Sequence, residues 1–574
     1  MNPGINNNRR YIYWLLTILI VVGSVEIGAR ILERVENSAA RRKNPFVESI
    51  NPVPAFKIVE MGGIKTVVRS GFHPLMNPEL RPFNLERPKG GLRVFLLGGS
   101  AAAGWPYHAG NTSISALLER KLRILYPGRT IEVINAAAGT YGSHRVEIIH
   151  EEILHYNPDA IFLYNGNNEF LEGLVYQPLH PPEPFDRSAL LRLVYRLMLP
   201  RPRIDVKNFT LDAQVPNTLA FAFARSSLYR EDPRQFQMLL KHYKFNVENM
   251  VADSAAAKVP IFLLTCPVNL KDWTPNVSRH HKGITPEELK RWTNFFREGE
   301  LAVERGDYAA AIAPLKAAIA LDDEYAEAHY HLGRSLLHTG LRNEAKNEYI
   351  RALERDGFPF RELPEFQTIL QEIATTNKVP LIDIVSPLEA VSGDGIIGLD
   401  TLVDYVHLTE KSQEVVAQEI LKALHGYGLL PEVSMADVEL ARIPIEKKFW
   451  ALRDVYAADL NYNMAMVMHQ YERIDILYDE AIKNFTRAAK EDPSMTEECR
   501  NRILLYKEIH PVVQAYRDLL HADKFGLREK KYTQEEAQRI VSMYREMIRQ
   551  VKTPGLTREE FAKKIPDPPF QQSK

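Results

Sequence analysis

The chain has almost no cysteine, no surplus of either charge and only one long apolar run. Two cysteines in 574 residues, Cys266 and Cys499, exclude a disulfide framework, and their separation excludes the paired spacing of a thiolate metal site. Lysine and arginine (72) balance aspartate and glutamate (73) to a net charge of −1, which removes the electrostatic footprint of a protein held on nucleic acid by phosphate attraction. No group of side chains has the spacing of a ligand set, so no metal or organic cofactor is expected.

The one long apolar run is residues 11–29, YIYWLLTILIVVGSVEIGA. It is about long enough to cross a bilayer core, is bracketed by aromatic residues and follows Arg9 and Arg10, so it reads as a single N-terminal membrane anchor. A signal peptide is the competing reading, but no small-x-small cleavage site closes the run. Arg30, Arg34, Arg41, Arg42 and Lys43 follow it. Short-loop counting of those charges favours a cytoplasmic body, yet long domains translocate largely regardless of it. The body is expected to be extracytoplasmic, in the periplasm. Glu26 lies near one end of the run, within reach of the interface.

Beyond a polar linker the sequence alternates. LRVFLL (92–97), TIEVIN (130–135), DAIFLYN (159–165), VPIFLLT (259–265) and VPLIDIV (379–385) are nearly continuous apolar runs, as suits strands buried on both faces of a parallel sheet. Helical spacing fills 112–126, 143–155, 236–256 and 363–376, the first with Thr112 or Ser113 as N-cap. The expected fold is α/β, a doubly wound, flavodoxin-like parallel sheet. The amphipathic piece RSALLRLVYRLM (188–199) reads as a packing helix, with a lid or a membrane-surface helix as alternatives.

Between the fourth and fifth runs the period changes. Gly299 recurs as Gly333, Gly306 as Gly340, Ala311 as Ala345, Ala318 as Ala352 and Asp322 as Asp356, each 34 residues on. That period, with small residues where helices approach closely, resembles the tetratricopeptide repeat over 286–357. A partial third match, DEAIKNFTRAAKEDPS, places Ala481, Phe485, Ala488 and Pro493 at the spacing of the motif's second helix. The expected organisation is an anchor and juxtamembrane segment over 1–43 and a linker over 44–87. A sheet domain in two parts follows, 88–285 and 358–425, with an all-α repeat insertion over 286–357. A C-terminal helical region over 426–574 holds the partial repeat near 462–495 and a polar tail.

Four blocks follow different strands of the one expected sheet. VFLLGGSAAAGWPY (94–107) delivers Ser100 at the end of the first strand, where glycines allow a sharp turn. INAAAGTYGSHR (134–145) offers the unobstructed N–H of Gly139, and YNGNNEF (164–170) the side-chain amide of Asn168. DYVHLT (404–409) sets Asp404 three residues before His407, so that a carboxylate can orient an imidazole. Taken alone, the first, second and fourth blocks read more simply as ordinary turns or a surface pair, and the third as either a turn or an amide donor. Trp105, Tyr107 and Tyr141 lie near the expected mouth, as sugar-stacking rings or as plain packing.

The order Ser, Gly, Asn, Asp-x-x-His resembles that of the SGNH/GDSL hydrolase superfamily over about 88–170 and 378–425. The resemblance implies Ser100 as nucleophile, His407 as general base and Asp404 as its partner. It also implies an oxyanion hole made by the backbone N–H groups of Ser100 and Gly139 with the amide of Asn168. The first block has Gly-Gly-Ser-Ala for Gly-Asp-Ser-Leu, and the third Asn-Glu, with Glu169, for Asn-Asp, departures that mark a divergent branch. A Gly-x-Ser-x-Gly elbow is excluded by Ala102. With the anchor, the phrase CPVNLKDW (266–273) and the inserted repeats, the chain is similar to a bacterial membrane-anchored branch of that superfamily.

The expected activity is hydrolysis of acetyl or short acyl esters, with an envelope glycan as one candidate bearer of the ester. An O-acyltransferase on envelope polysaccharide uses the same residues with another hydroxyl in place of water. A scaffold with an inactive hydrolase domain is the reading from another class, since such repeats present a concave surface to protein partners.

Overall fold

The computed structural model describes residues 14, 17, 20–31, 54–73, 76–77, 80–106, 112–175, 188–198, 232–431, 474–524 and 531–550. Its centre is a five-stranded sheet, β4 (Leu92–Gly98), β5 (Ile131–Asn135), β6 (Ala160–Tyr164), β7 (Ile261–Leu264) and β8 (Leu381–Ile382). The strands run parallel in the order β5-β4-β6-β7-β8. Chain order therefore reverses at β4, and the crevice at the carboxyl ends of β5, β4 and β6 is where doubly wound sheets receive ligands.

The continuous apolar runs are explained by burial on both sheet faces. All seven residues of β4, all five of β6 and all four of β7 are buried. Because successive side chains alternate, Phe95 and Leu97 of β4 join one core and Val94 and Leu96 the other. The second core is closed by α2 (Ile114–Leu125) and α13 (Glu410–Gly426), through Ile114, Leu118, Val416 and Ile420. Ser113 caps α2, accepting from Ala116 N, as the sequence suggested. The first core is closed by α3 (Ser143–Ile153), α6 (Pro233–Ala256) and α11 (Pro364–Asn377).

Within the expected linker, residues 56–69 and 83–84 are structured. They form an antiparallel sheet of β1 (Phe56–Met61), β2 (Ile64–Arg69) and β3 (Phe83–Asn84). Met61 pairs with Ile64 across Gly62 and Gly63, whose φ values of 59° and 78° make the two-residue turn that matches strand twist. Phe56, Val67 and Phe83 enter the first core, and Glu152 of α3 accepts the backbone N–H groups of Ala55 and Phe56 at 2.6 and 3.0 Å. The strands are short and bury few side chains, with even Ile58, Met61 and Ile64 exposed, so composition alone read them as a connection.

The repeat region is two antiparallel helix pairs, α7 (Pro286–Glu304) with α8 (Tyr308–Leu321) and α9 (Ala326–His338) with α10 (Arg342–Arg355). Of the recurrent glycines, Gly299 and Gly333 sit where the two helices of each pair meet, while Gly306 and Gly340 turn the chain between them at φ 75° and 87°. A Cβ on Gly299 would lie 2.5 Å from Leu315 Cγ, and one on Gly333 3.0 Å from the Tyr349 ring. Trp292, Phe296, Leu315 and Tyr349 share the first hydrophobic core with Phe95 and Leu163 of the sheet, so the insertion is packed into the body.

C-terminal helices α14 (Ile474–Glu491), α15 (Thr496–Lys524) and α16 (Gln534–Gln550) enclose a third core that includes Ala481, Phe485 and Ala488 of the partial repeat. The tail beyond 550 and most of 171–232 lie outside the described residues. The amphipathic piece is helical as α5 (Ala189–Met198). Of the expected anchor, residues 14, 17 and 20–31 are described and helical, and Glu26 accepts the N–H groups of Ala189 and Leu190, both at 3.0 Å. Among the described residues no helix is long and apolar enough to cross a membrane.

Candidate functional site

Ser100 stands where β4 turns into the short helix α1 (Ser100–Ala103). Gly98 has φ +146°, and a Cβ there would lie 1.9 Å from the Tyr164 carbonyl oxygen, so only glycine fits. A Cβ on Gly99 would lie 2.3 Å from Asn168 Nδ2. The Gly-Gly pair thus lets the end of β4 press against β6 and against the third block. Ser100 N opens a helix and has no intrahelical carbonyl to bond.

Asp404 and His407 come from a tight loop between Thr401 and Thr409, closed by Val403 N to His407 O at 2.8 Å and Thr409 N to Thr401 O at 2.9 Å. Asp404 Oδ1 accepts the backbone N–H groups of Val406 and His407 at 2.9 and 2.8 Å. Its Oδ2 lies 2.6 Å from His407 Nδ1, and His407 Nε2 lies 2.8 Å from Ser100 Oγ. A carboxylate only accepts, so Nδ1 carries the proton and Nε2 turns its lone pair to the serine hydroxyl. Asp404 and His407 are both buried. Gln413 sets the loop against the serine, accepting from Ile114 N at 2.9 Å and donating to the Gly104 carbonyl at 3.3 Å.

Asn168 and Gly139 reach the same edge. Asn168 Nδ2 donates to the Tyr141 carbonyl at 3.1 Å, and Ala138 N, just before Gly139, donates to the Gly98 carbonyl at 3.0 Å. All five residues expected at the site are therefore gathered at the carboxyl ends of the strands, three of them in one hydrogen-bonded chain. The arrangement can take a proton from Ser100 and offer donors beside it.

Several supporting residues gave no clear signal in the sequence. Glu169 accepts Ser143 N at 2.8 Å, Ser143 Oγ at 2.7 Å and Asn165 Nδ2 at 3.0 Å, while Glu172 accepts His144 N at 3.1 Å. Two carboxyl groups thus meet the first turn of α3. Arg145 joins them, paired with Glu172, its guanidinium 4.1 Å over the Tyr141 ring. Burial, then the neighbouring Glu172, pushes the Glu169 carboxyl up to about 8. The residue departing from Asn-Asp therefore ties the third block to the second. The sequence showed it only as a departure from Asn-Asp, an acid one residue after Asn168 and four after Asn165.

The aromatic residues do less. Tyr141 is buried with its hydroxyl 2.8 Å from His73 Nδ1, and burial pushes that hydroxyl up to about 12, so its ring packs and does not face a ligand. Trp105 is half-buried, and Tyr107 lies outside the described residues. Among the described residues one group has the spacing to hold a metal ion, Glu300, Glu327 and His331, with ligand atoms within 4.8 Å of one another. It belongs to α7 and α9 of the repeats, apart from the Ser100 chain.

Comparison with known proteins adds two findings. Residues 299–340 match the tetratricopeptide family described as TPR repeat. Among solved structures the chain is similar to a GDSL-like lipase from Bacteroides thetaiotaomicron, at 11% identity and TM-score 0.26 over 60% of this chain and 92% of that one. It is similar to a lipase/acylhydrolase from Enterococcus faecalis, at 14% identity and TM-score 0.26 over 60% of this chain and 100% of that one. An acetyl xylan esterase from Geobacillus stearothermophilus follows at 12% identity and TM-score 0.26, over 60% and 100%. No curated protein matches the sequence.

Proposed function

We propose that the protein is a serine esterase of the SGNH type, acting on acetyl or short acyl esters. The observation that carries this reading is the chain Asp404 Oδ2 to His407 Nδ1 at 2.6 Å and His407 Nε2 to Ser100 Oγ at 2.8 Å, with the Asn168 amide against Gly99. In this reading His407 takes the hydroxyl proton as Ser100 Oγ bonds to the ester carbon. The oxyanion is met by the N–H groups of Ser100 and Gly139 and by Asn168 Nδ2. The imidazolium returns its proton to the leaving alcohol, an acyl-serine remains, and water activated by His407 releases the acid. Asp404 holds the imidazole in the required tautomer throughout.

The partners proposed are an ester-bearing glycan of the cell envelope, a membrane reached through residues 11–29, and a protein held by the repeats. The location proposed is extracytoplasmic. Hydrolysis of p-nitrophenyl acetate by the purified full-length chain, beside Ser100→Ala, tests the chemistry. Turnover that disappears with the hydroxyl supports the reading, and equal turnover in both proteins contradicts it. A reporter fused at the C-terminus tests the location, a cytoplasmic signal removing the envelope substrate and leaving the chemistry standing.

A further inference from the structure

Residues 356 to 363, which lead from the last repeat helix back into the sheet domain, touch both halves of the candidate site. Asp356, fully buried at the end of α10, accepts the N–H groups of Asn276, Val277 and Phe358 at 2.9, 3.0 and 3.0 Å. Its repeat mate Asp322 does the same at the end of α8, accepting His281 N at 3.3 Å and Glu324 N at 3.0 Å. Both repeat ends therefore clasp the stretch 276–281, and the second continues towards the sheet.

Arg361 is buried, pairs with Asp356 at 3.4 Å and donates to the carbonyl oxygens of Asn269 and Trp273 at 2.6 and 3.0 Å. Asn269, buried in turn, donates its side-chain amide to the Asp404 carbonyl at 2.8 Å, and its backbone N–H donates to the Tyr405 carbonyl at 3.0 Å. One residue on, Glu362 N donates to Asn167 Oδ1 at 3.0 Å, and its carboxyl packs so close to Gly166 that a Cβ there would lie 2.0 Å from Oε1. Asn167 immediately precedes Asn168.

We infer that Arg361 and Glu362 are positioning residues, through which the exit of the repeat insertion sets Asp404 by way of Asn269 and Asn168 by way of Asn167. The inference rests on the esterase reading for its kinetic consequence only. Neither residue touches the reacting atoms. Arg361 holds the backbone from which Asn269 reaches Asp404, so a change at Arg361 acts on the orientation of the imidazole and hence on kcat with KM unchanged. Glu362 and Gly166 hold the third-block turn, so a change at Asn167 moves the amide that meets the oxyanion. Lysine at 361 keeps the charge but lacks the planar fork that spans Asp356 and two carbonyl oxygens.

The test uses the full-length protein in detergent. The variants are Arg361→Lys, Asn269→Ala, their double substitution, Asn167→Ala, Asn167→Asp, and Asp322→Asn as the matching clasp that touches no site residue. Readouts are kcat and KM on p-nitrophenyl acetate, the melting temperature, and the low-field proton resonance of His407 Nδ1–H. Arg361→Lys and Asn269→Ala are each expected to lower kcat at least tenfold at constant KM and to shift the resonance. The double substitution is expected to lose no more than the worse single one, because the two act in series. Asn167→Ala loses kcat and Asn167→Asp, which keeps an acceptor oxygen, recovers it; Asp322→Asn lowers the melting temperature only.

Wild-type kcat and an unshifted resonance in folded Arg361→Lys, or losses that multiply in the double substitution, overturn the inference. If Arg361→Lys does not fold, Asn269→Ala and the Asn167 pair decide it by the same criteria. A wild-type protein without turnover removes the esterase reading, and the resonance in Arg361→Lys against Asp322→Asn still decides the positioning role.

Discussion

At the scale of single residues, the site depends on what glycine leaves out as much as on what serine and histidine supply. Asn168 Nδ2 occupies the place a side chain on Gly99 would take, 2.3 Å from that Cβ. Gly99→Ala is therefore expected to displace the amide and lower kcat about tenfold or more with little change in KM, read in steady-state kinetics. Asn168→Ala removes the donor outright and is expected to cost about 100- to 1,000-fold in kcat, the usual loss for one oxyanion donor, in a protein with an unchanged circular dichroism spectrum. An unchanged kcat in Asn168→Ala takes this residue out of the oxyanion hole. Three of the four blocks stood out in the sequence because they sit just past an apolar run, and strand ends are where a doubly wound sheet gathers ligands, whereas Asp404 and His407, well beyond the fifth run, joined them only through the block order. Arg361, Glu362 and Asn269 were not legible in role. They act through backbone carbonyls and amides of residues up to 195 positions away, and no local pattern announces such a partner. Asn269 lay in the quoted phrase CPVNLKDW, but its contact with Asp404 exists only in the fold.

Among the elements, α3 and α6 carry the clearest dependence on pH. His150 of α3 is fully buried, with Nε2 2.7 Å from Ser254 Oγ of α6, and burial pulls its imidazole down to about 3. His242 of α6 is likewise pulled to about 3, by burial first and then by His144. A folded-state value below the unfolded value means that the stability contributed is present above about 6.5 and is lost as pH falls towards 3. Lowering pH from 7 to 5 is expected to remove about 2 kcal/mol through His150 alone, from its value of about 3. Urea unfolding at both pH values measures it, and His150→Gln should remove about half of the difference, His242 supplying the rest; equal midpoints at pH 5 and 7 contradict the assignment. The first turn of α3 supplies a second test. Glu172→Ala leaves the buried Arg145 guanidinium without its carboxylate, and breaking such a pair costs about 3 to 5 kcal/mol. The central strands and their flanking helices were readable from apolar runs and periodicity, since burial on both faces leaves a continuous signature. The β1–β3 sheet was not, because two short strands around Gly62 and Gly63 carry too few buried side chains, Phe56 and Val67 among them, to stand out from a polar connection.

Across the whole molecule, the repeats and the sheet domain are one folding unit. Trp292, Phe296 and Leu315 lie in the same core as Phe95, Ile161 and Leu263, and Asp356 and Asp322 tie both repeat ends to 276–281. Replacing 286–355 by a short flexible loop is therefore expected to yield a chain without cooperative unfolding. A sharp thermal transition in that deletion would show the repeats to be an appended module. The 34-residue period revealed the insertion, and two adjacent repeats, too few for an independent solenoid, pointed to packing against the sheet domain or the C-terminal helices; the shared core is with the sheet domain. If this body holds Ser100 as an activated nucleophile, a serine-reactive phosphonate attaches to it covalently. The full-length protein is incubated with a fluorophosphonate, digested, and the modified peptide located by mass spectrometry. Modification is expected at Ser100 alone, absent in Ser100→Ala and slowed at least about 100-fold in His407→Ala; no label on the folded wild-type protein, or label undiminished by loss of His407, rules out an activated Ser100.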